Sequence, residues 1–490
     1  MSESSTPRAP SLLQALIPLL ALVLMLGGSV WLFSDSASAG PNQIALLLCA
    51  CLAGIIGLRN GLGWKDIEEA MVSGVTLATS AVFILLAVGA LIGTWILSGT
   101  VPTMIYYGIQ IMDPSWFYPA TCFVCALVAL TIGSSWTVAG TLGVALIGVA
   151  HGLELSPAIT AGAVISGAYF GDKLSPLSDT TNLAPAAAGS ELFAHVRNMT
   201  WTTVPSIVLA LIGFAILGAG VETRSGAAGF GELPTALAQQ FTLGWHLLLP
   251  LLLVFGLAVA RVPAFPTILI GALTGAVFAV IFQPDLVVAR AGNEALDRGW
   301  AMLAGAWLTL ADGYTSESGV KSVDELLSRG GMSSMLNTIW LILCAMAFGA
   351  VMERTGLLER LIRGVLGLAR STGALISATL GTALGSNILA ADQYMSIVLT
   401  GRIYRPEYER RGLHPLNLSR ALEDAGTLTS PLVPWNTCGA YMAATLGVAT
   451  LDYLPFALFN LINPLVAVVF AYAGFKILRI QPEAQVQQRA

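Results

Sequence analysis

Gly171-Asp172-Lys173-Leu174-Ser175-Pro176-Leu177 has a counterpart further along the chain, Gly426-Thr427-Leu428-Thr429-Ser430-Pro431-Leu432. Polar clusters follow both copies: Ser178-Asp179-Thr180-Thr181-Asn182 and Pro434-Trp435-Asn436-Thr437. The surroundings of each are apolar. Inside a membrane, Gly, Pro and hydroxyl residues interrupt a helix and free backbone groups that lipid cannot satisfy. Such breaks sit against protein or a wet cavity, and a matched pair, one in each half, points to a transporter's binding site.

Composition fixes the solvent. Hydrophobic residues make up 56% of the chain and charged residues 10%, against about 25% charged in a soluble domain. Apolar stretches recur at 11–33, 42–58, 70–97, 116–133, 136–150, 200–220, 243–260, 264–283, 335–352, 372–391 and 453–475. One span takes about 20 apolar residues, so roughly 11 to 14 membrane segments are expected, counting half-helices. The net charge of −5 and the lack of a basic run give no footing for nucleic acid. Ala37-Ser38-Ala39 resembles a cleavage site, but the apolar run before it is longer than a signal peptide's, so a retained first helix is expected.

Positive charge sets orientation. Arg8 precedes the first apolar stretch, Arg59 and Lys65 follow the second, and the 34–41 loop between has no Lys or Arg. Arg402, Arg405, Arg410, Arg411 and Arg420 fall in 401–420, read as a loop, and Lys476, Arg479 and Arg489 in the tail. The positive-inside rule places both termini and 401–420 in the cytoplasm. The six cysteines lie in apolar sequence, and Cys122-x-x-Cys125 has no second ligand pair nearby. They read as small buried hydrophobes.

Internal similarity extends beyond the two breaks. Residues 90–102 line up with 347–358, and Gly133-Ser134-Ser135 with Gly385-Ser386-Asn387, in the same order in both halves. A duplication of the transporter type is expected, with an all-α polytopic membrane fold. The divisions read as N-terminal helices 1–59, a first repeat 60–220 with its hairpin and broken helix around 158–182, and an intervening part 221–324. A second repeat 325–475 follows, with its hairpin and broken helix around 415–440, and then a cytoplasmic tail 476–490. The polar stretch 284–334 reads as a solvated loop or partly re-entrant helix. Inverted repeats are expected, although the charges alone do not fix the number of crossings.

Carboxylates within a membrane are costly and usually functional. Asp172, Asp179, Asp392 and Asp424 stand out, each with a helix cap or surface ion pair as the plain alternative. Lys173 cannot face Asp172 on a helix, because neighbouring positions point apart. Asp424 or Asp392 is its expected partner. Arg420 and Glu423 read as a surface pair beside the arginine-rich stretch. The neutral set is Ser134, Ser135, Thr137, Ser175, Ser178, Thr180, Thr181, Asn182, Ser386, Asn387, Ser430, Asn436 and Thr437. Such oxygens suit a hard cation. Singly, each could instead bond to its own helix or to a neighbouring one.

Residues 171–182 resemble the signature of the NhaC family of sodium–proton antiporters. Ala391-Asp392-Gln393-Tyr394-Met395-Ser396-Ile397-Val398, Leu422-Glu423-Asp424-Ala425-Gly426-Thr427 and the run from Ser430 to Thr437 are similar to its second-half motifs. The likeness covers nearly the whole chain. It implies the ion transporter superfamily: a scaffold, a mobile transport domain with re-entrant hairpins moving elevator-fashion, a homodimer, and a bacterial inner membrane. No cofactor is implied beyond the transported sodium. The family also includes exchangers of organic acids such as malate and lactate, which leaves the cargo open.

The expected mechanism is competition at one site, where a partly desolvated carboxylate holds either a proton or sodium and alternating access exposes the loaded site to each side. Asp172 and Asp179 are the first candidates for the proton-sensitive ligands, then Asp424 and Asp392. Ser134, Ser175, Thr180, Asn182, Ser386, Asn387, Ser430, Asn436 and Thr437 supply the remaining shell, and Lys173 neutralises the empty site. An organic anion or zwitterion is the second reading, with half-helix N-termini binding its carboxylate. Only Arg354 lies near the first apolar span of the second half, and it reads as interfacial, so the sequence offers no clear buried arginine for a dianion. An enzyme is disfavoured. Tyr169-Phe170-Gly171-Asp172 lacks the first glycine of an intramembrane aspartyl protease, and no serine motif accompanies His151, His195, His246 or His414, all near segment ends; His151 and His195 read as interfacial.

Overall fold

A computed structural model describes residues 8–33, 37, 39–220 and 233–480. Residues 34–36, Ser38 of the cleavage-like motif, residues 221–232 and tail residues 481–490 with Arg489 lie outside the described residues. Among the described residues the chain is helical, with two isolated β-bridges, Tyr314–Arg329 and Leu413–Arg479.

The chain begins with α1 (Leu12–Phe33), α2 (Pro41–Arg59) and the long α3 (Trp64–Leu97). Gly99 then turns the backbone left-handed at φ 81° and starts α4 (Thr100–Ile111). Next come α5 (Phe117–Ile132), α6 (Ser135–Gly152), α7 (Pro157–Leu174), α8 (Asp179–Ala188) and α9 (Leu192–Ala219). The middle of the chain holds α10 (Leu233–Gln240), α11 (Trp245–Val259), α12 (Ala264–Phe282), α13 (Pro284–Ala291), α14 (Arg298–Asp312) and α15 (Lys321–Leu327). The stretch 284–334 is therefore largely short helices. Its longest loop, 313–320, is pinned by Asp324, which accepts from Ser316 Oγ and from Ser318 N and Oγ. Those bonds hold the Asp324 carboxyl below the usual range.

The second half runs α16 (Met332–Arg354), α17 (Leu357–Leu366), α18 (Thr372–Leu389), α19 (Gln393–Arg410), α20 (415–427), α21 (Thr437–Leu446), α22 (Thr450–Phe456) and α23 (Leu458–Ala473). Gly356, at φ 73°, separates α16 from α17 as Gly99 separates α3 from α4. Only glycine takes that conformation freely. The two glycines coincide when 90–102 is laid on 347–358.

Among the described residues, seven helices are long and apolar enough to span a membrane: α1, α2, α3, α6, α9, α12 and α16. Two bent pairs, α10 with α11 at 92° and α22 with α23 at 56°, raise this to nine. The half-helices included in the expected 11 to 14 are shorter or more polar than a full span. The segment 401–420 is not a loop: it is the end of α19, a turn, and the start of α20. Arg405, Arg410 and Arg411 pair there with Glu409 and Glu407, and Arg402 lies 3.9 Å from Glu353.

The helices pack as two groups. α1, α2, α3, α12, α14 and α16 form one. The other holds α5 to α9 and α18 to α23. In the second group α5 and α7 run parallel and very close: a Cβ at Gly167 would lie 2.1 Å from Cys122 O, and one at Gly171 2.3 Å from Leu130 N. α6 runs antiparallel to α7, with Ser135 beside Asp172 and Gly143 beside Val164. α5 and α6 are thus a hairpin. α18 and α19 form another, pinned by Thr379–Tyr408 and Thr382–Tyr404 hydroxyl bonds of 2.9 and 2.7 Å. Outside, α1 exposes Leu13, Leu24 and Trp31, as a lipid-facing helix does.

Candidate functional site

The two hairpin tips decide where the site lies. At the first, Gly133 turns left-handed at φ 76° and Ser134 caps α6, its Oγ accepting from Thr137 N at 3.2 Å. At the second, Ala391 takes φ 57° and Asp392 caps α19. A non-glycine in that region is strained by about 1 kcal/mol or more and is held only by its surroundings. Here the hold is direct: Thr437 N donates to Ala391 O at 2.9 Å.

Both tips, the first chain break and the start of the helix that follows the second open on one cavity of about 670 Å³. Four helix N-termini meet it: α6 through Ser134 and Ser135, α8 through Asp179 and Thr180, α19 through Asp392 and Gln393, and α21 through Thr437. Asp172, from the last turn of α7, joins them. Helix N-termini are positive poles that repel a cation. The carboxylates reverse this. Asp172 Oδ2 accepts from Ser135 Oγ at 2.6 Å and Ser135 N at 3.2 Å. Asp392 Oδ1 accepts from Tyr394 N and Met395 N, and its Oδ2 from Thr437 Oγ1 at 3.1 Å. Each aspartate quenches a helix pole and is fixed in place by it. Asp172 and Asp392 are 7% and 8% exposed, whereas Asp179 is open to the cavity. α3 closes one wall through Leu77 to Ile84, and Arg261 to Thr267, the joint after α11 and the first turn of α12, form another.

Of the residues expected from sequence, Asp172, Asp179, Asp392, Ser134, Thr180 and Thr437 line the cavity together. Six others lie outside its lining and build its frame. Ser175 Oγ accepts from Leu177 N. Asn182 Nδ2 donates to the carbonyls of Pro176 and Ser178. Ser430 Oγ donates to Thr427 O and to Gln393 Oε1. Asn387 donates to Gly426 O and Thr429 Oγ1, and its own carbonyls accept from Asn436. Ser386 is buried with an unpartnered hydroxyl.

Asp424 and Lys173 form a second, separate centre. Lys173 Nζ bonds Asp424 Oδ1, which also accepts from Thr202 Oγ1 at 2.9 Å and Asn463 Nδ2 at 2.8 Å. Both charges are fully buried and neither lines the cavity.

Three expectations are corrected. Arg420 and Glu423 are not a surface pair: Arg420 is 4% exposed and bonds Asn198 Oδ1 and Lys476 O, while Glu423 is fully buried with neither carboxylate oxygen partnered. Arg420 is also the buried arginine the sequence did not offer. His195 is not interfacial but fully buried, both ring nitrogens unpartnered. Sequence reasoning passed over Trp136, Gln393, Tyr394 and Arg261 as cavity residues. The first three lie within two residues of the helix-capping Ser134 and Asp392, and that position was the available signal.

Convergent helix breaks around buried carboxylates, inside a bundle of membrane-length helices, define a membrane transporter. Residues 167–475 match the Na+/H+ antiporter family, and the chain belongs to that family. It is 41% identical over 89% of its length to the Na(+)/H(+) antiporter NhaC of Alkalihalophilus pseudofirmus, covering 91% of that protein. It is 37% identical to the Malate-2H(+)/Na(+)-lactate antiporter of Bacillus subtilis, over 95% of this chain and 96% of that one. With the Arginine/ornithine antiporter ArcD of Halobacterium salinarum it shares 35% identity, over 99% and 96%.

Proposed function

We propose that this protein exchanges sodium for protons across the membrane by alternating access, with sodium held in the cavity between the two hairpin tips. One observation carries the placement: Asp172 and Asp392, from opposite halves of the chain, are buried beside the same cavity among hydroxyl and amide oxygens. Oxygen ligands and negative charge are what a hard monovalent cation needs to replace its water. Asp172, Asp392 and Thr437 are the ligands, with Ser135, Thr180 and Gln393 beside them and Asp179 drawing cations in. Lys173 and Asp424 are not ligands; their pair ties α7 to α20 behind the cavity.

The recurrence of element order, with left-handed glycines at equivalent joints, supports two repeats. The division into two packing groups supports a fixed scaffold of α1, α2, α3, α12, α14 and α16 and a mobile domain carrying both hairpins. We read the repeats as inverted, the assembly as a homodimer in a bacterial inner membrane, and both termini as cytoplasmic.

A sodium jump imposed on proteoliposomes, with internal pH as the readout, tests the function. Sodium entry coupled to proton exit is expected. No pH change with sodium, but a response to an organic solute, would transfer the site to the second reading. One feature speaks for that alternative, a carboxylate cargo of the malate or lactate kind: Arg261 lines a cavity of about 670 Å³, much larger than one ion.

A further inference from the structure

The buried turn behind the cavity holds more carboxylate than cation. Lys173 is committed to Asp424, whose Oδ1 takes two further donors. Glu423, the neighbouring residue, has no donor within hydrogen-bond distance: it is fully buried, and the Thr427 hydroxyl is the one side-chain donor facing it among the described residues. An ionised carboxylate buried with no donor would carry a desolvation penalty of several kcal/mol. Of two carboxylates sharing one lysine, the better solvated by donors stays charged and the other holds a proton. Asp424 is the charged member and Glu423 the protonated one.

The surroundings fit a site that loads and unloads. Glu423 lies in a π-helical turn, 422–427, of the kind that often marks function. The charged groups acting on it are Lys173 and Asp172 of α7 and Asp424 of its own turn. Thr427 faces it with an unpartnered hydroxyl. The other helices on this turn present neutral groups: Asn387 of α18, Ser396 of α19, Asn463 of α23. His195 acts on the Lys173–Asp424 pair, as does Arg420 on Asp424, from further along the same buried polar seam.

We propose that Glu423 is the proton-carrying site of the exchange, distinct from the sodium cavity and coupled to it through Lys173 and Asp172. This rests on the sodium–proton reading above. Sodium entering beside Asp172 brings one positive charge toward Lys173, and Glu423 releases one proton in answer. The carboxylate left behind shares Lys173 with Asp424, so net charge is conserved. Return of the proton frees Lys173 and favours sodium release. The proton and the ion then need not compete for one carboxylate.

The test is sodium binding by the purified full-length protein, measured with radioactive sodium across pH, together with the sodium-jump assay. Wild-type affinity is expected to rise about tenfold per pH unit while one proton is exchanged. Glu423→Gln is expected to bind sodium with an affinity that no longer changes with pH, and to move sodium without protons. Persistence of the wild-type pH dependence in Glu423→Gln would overturn the proposal and return the proton to the cavity. Loss of sodium binding in a folded Glu423→Gln protein would overturn it too, by making Glu423 a ligand. If Glu423→Gln does not fold, infrared difference spectra of the wild type decide. Sodium, at a concentration that saturates only the wild type, should then remove a protonated-carboxyl band while Asp172→Asn, with its weakened sodium site, keeps that band. A band missing from Asp172→Asn would assign the proton to Asp172. If the wild type moves no protons against sodium, the functional reading falls first, and this inference with it.

Discussion

Asp172 and Asp392 share one arrangement: each is buried, each accepts backbone N–H groups of a helix that starts at a hairpin tip, and each takes one hydroxyl. The Lys173–Asp424 pair is of another kind, closed on itself and away from the cavity. The two centres should respond differently to mutation. Lys173→Met or Asp424→Leu alone leaves an uncompensated buried charge and should lower stability by about 3–5 kcal/mol. The double substitution should recover most of it, because both charges leave together. Thermal unfolding in detergent checks this, and single variants as stable as the wild type would contradict it. At this scale the sequence was half legible. An aspartate in apolar sequence announces a cost that something must offset, so Asp172, Asp392 and Asp424 could be named. Which of them meet could not, because Asp424 and Lys173 are joined across 251 positions. Glu423 was misread for a related reason: its flank is arginine-rich, yet Arg420 and Glu423 themselves both turn inward.

Among the elements, the breaks were the clearest signal. Proline and hydroxyl residues in apolar sequence end α7 at Leu174 and α20 at Thr427, because the chain cannot continue helical through Ser-Pro. The hairpin tips were harder. Gly133-Ser134 was visible as a motif, but a tip is defined by what packs antiparallel, and that depends on tertiary contacts. The wall from Arg261 to Thr267 was invisible, since nothing in that run marks which surface it meets. The parallel pair α5 and α7 gives a prediction. Gly167→Val forces its side chain onto the Cys122 carbonyl, and the helices must separate. The cost should be about 2–3 kcal/mol, with Asp172 displaced from Ser135 and sodium affinity reduced. An unaltered melting temperature and affinity would show that the contact is slack.

Over the whole molecule, two groups of helices meet along α3, where a Cβ at Gly140 of α6 would lie 3.3 Å from Val88. If the hairpin group slides against the other, a cross-link at this contact stops it. Oxidised Val88→Cys/Gly140→Cys protein should lose exchange and regain it on reduction. Exchange that continues through the cross-link would mean these surfaces do not part. Composition alone announced the membrane and the helical class, since 56% hydrophobic sequence leaves no other solvent. The two-group packing was not available from composition, because lipid-facing and protein-facing helices share one alphabet.

Equilibrium binding of radioactive sodium to purified protein, comparing wild type with Asp172→Asn and Asp392→Asn, bears most directly on the central claim. If both tips hold the same ion, removing either carboxylate should weaken sodium by at least about tenfold, the loss of roughly 1.4 kcal/mol or more of ligation. Wild-type affinity in both folded variants would contradict a sodium site between the hairpin tips.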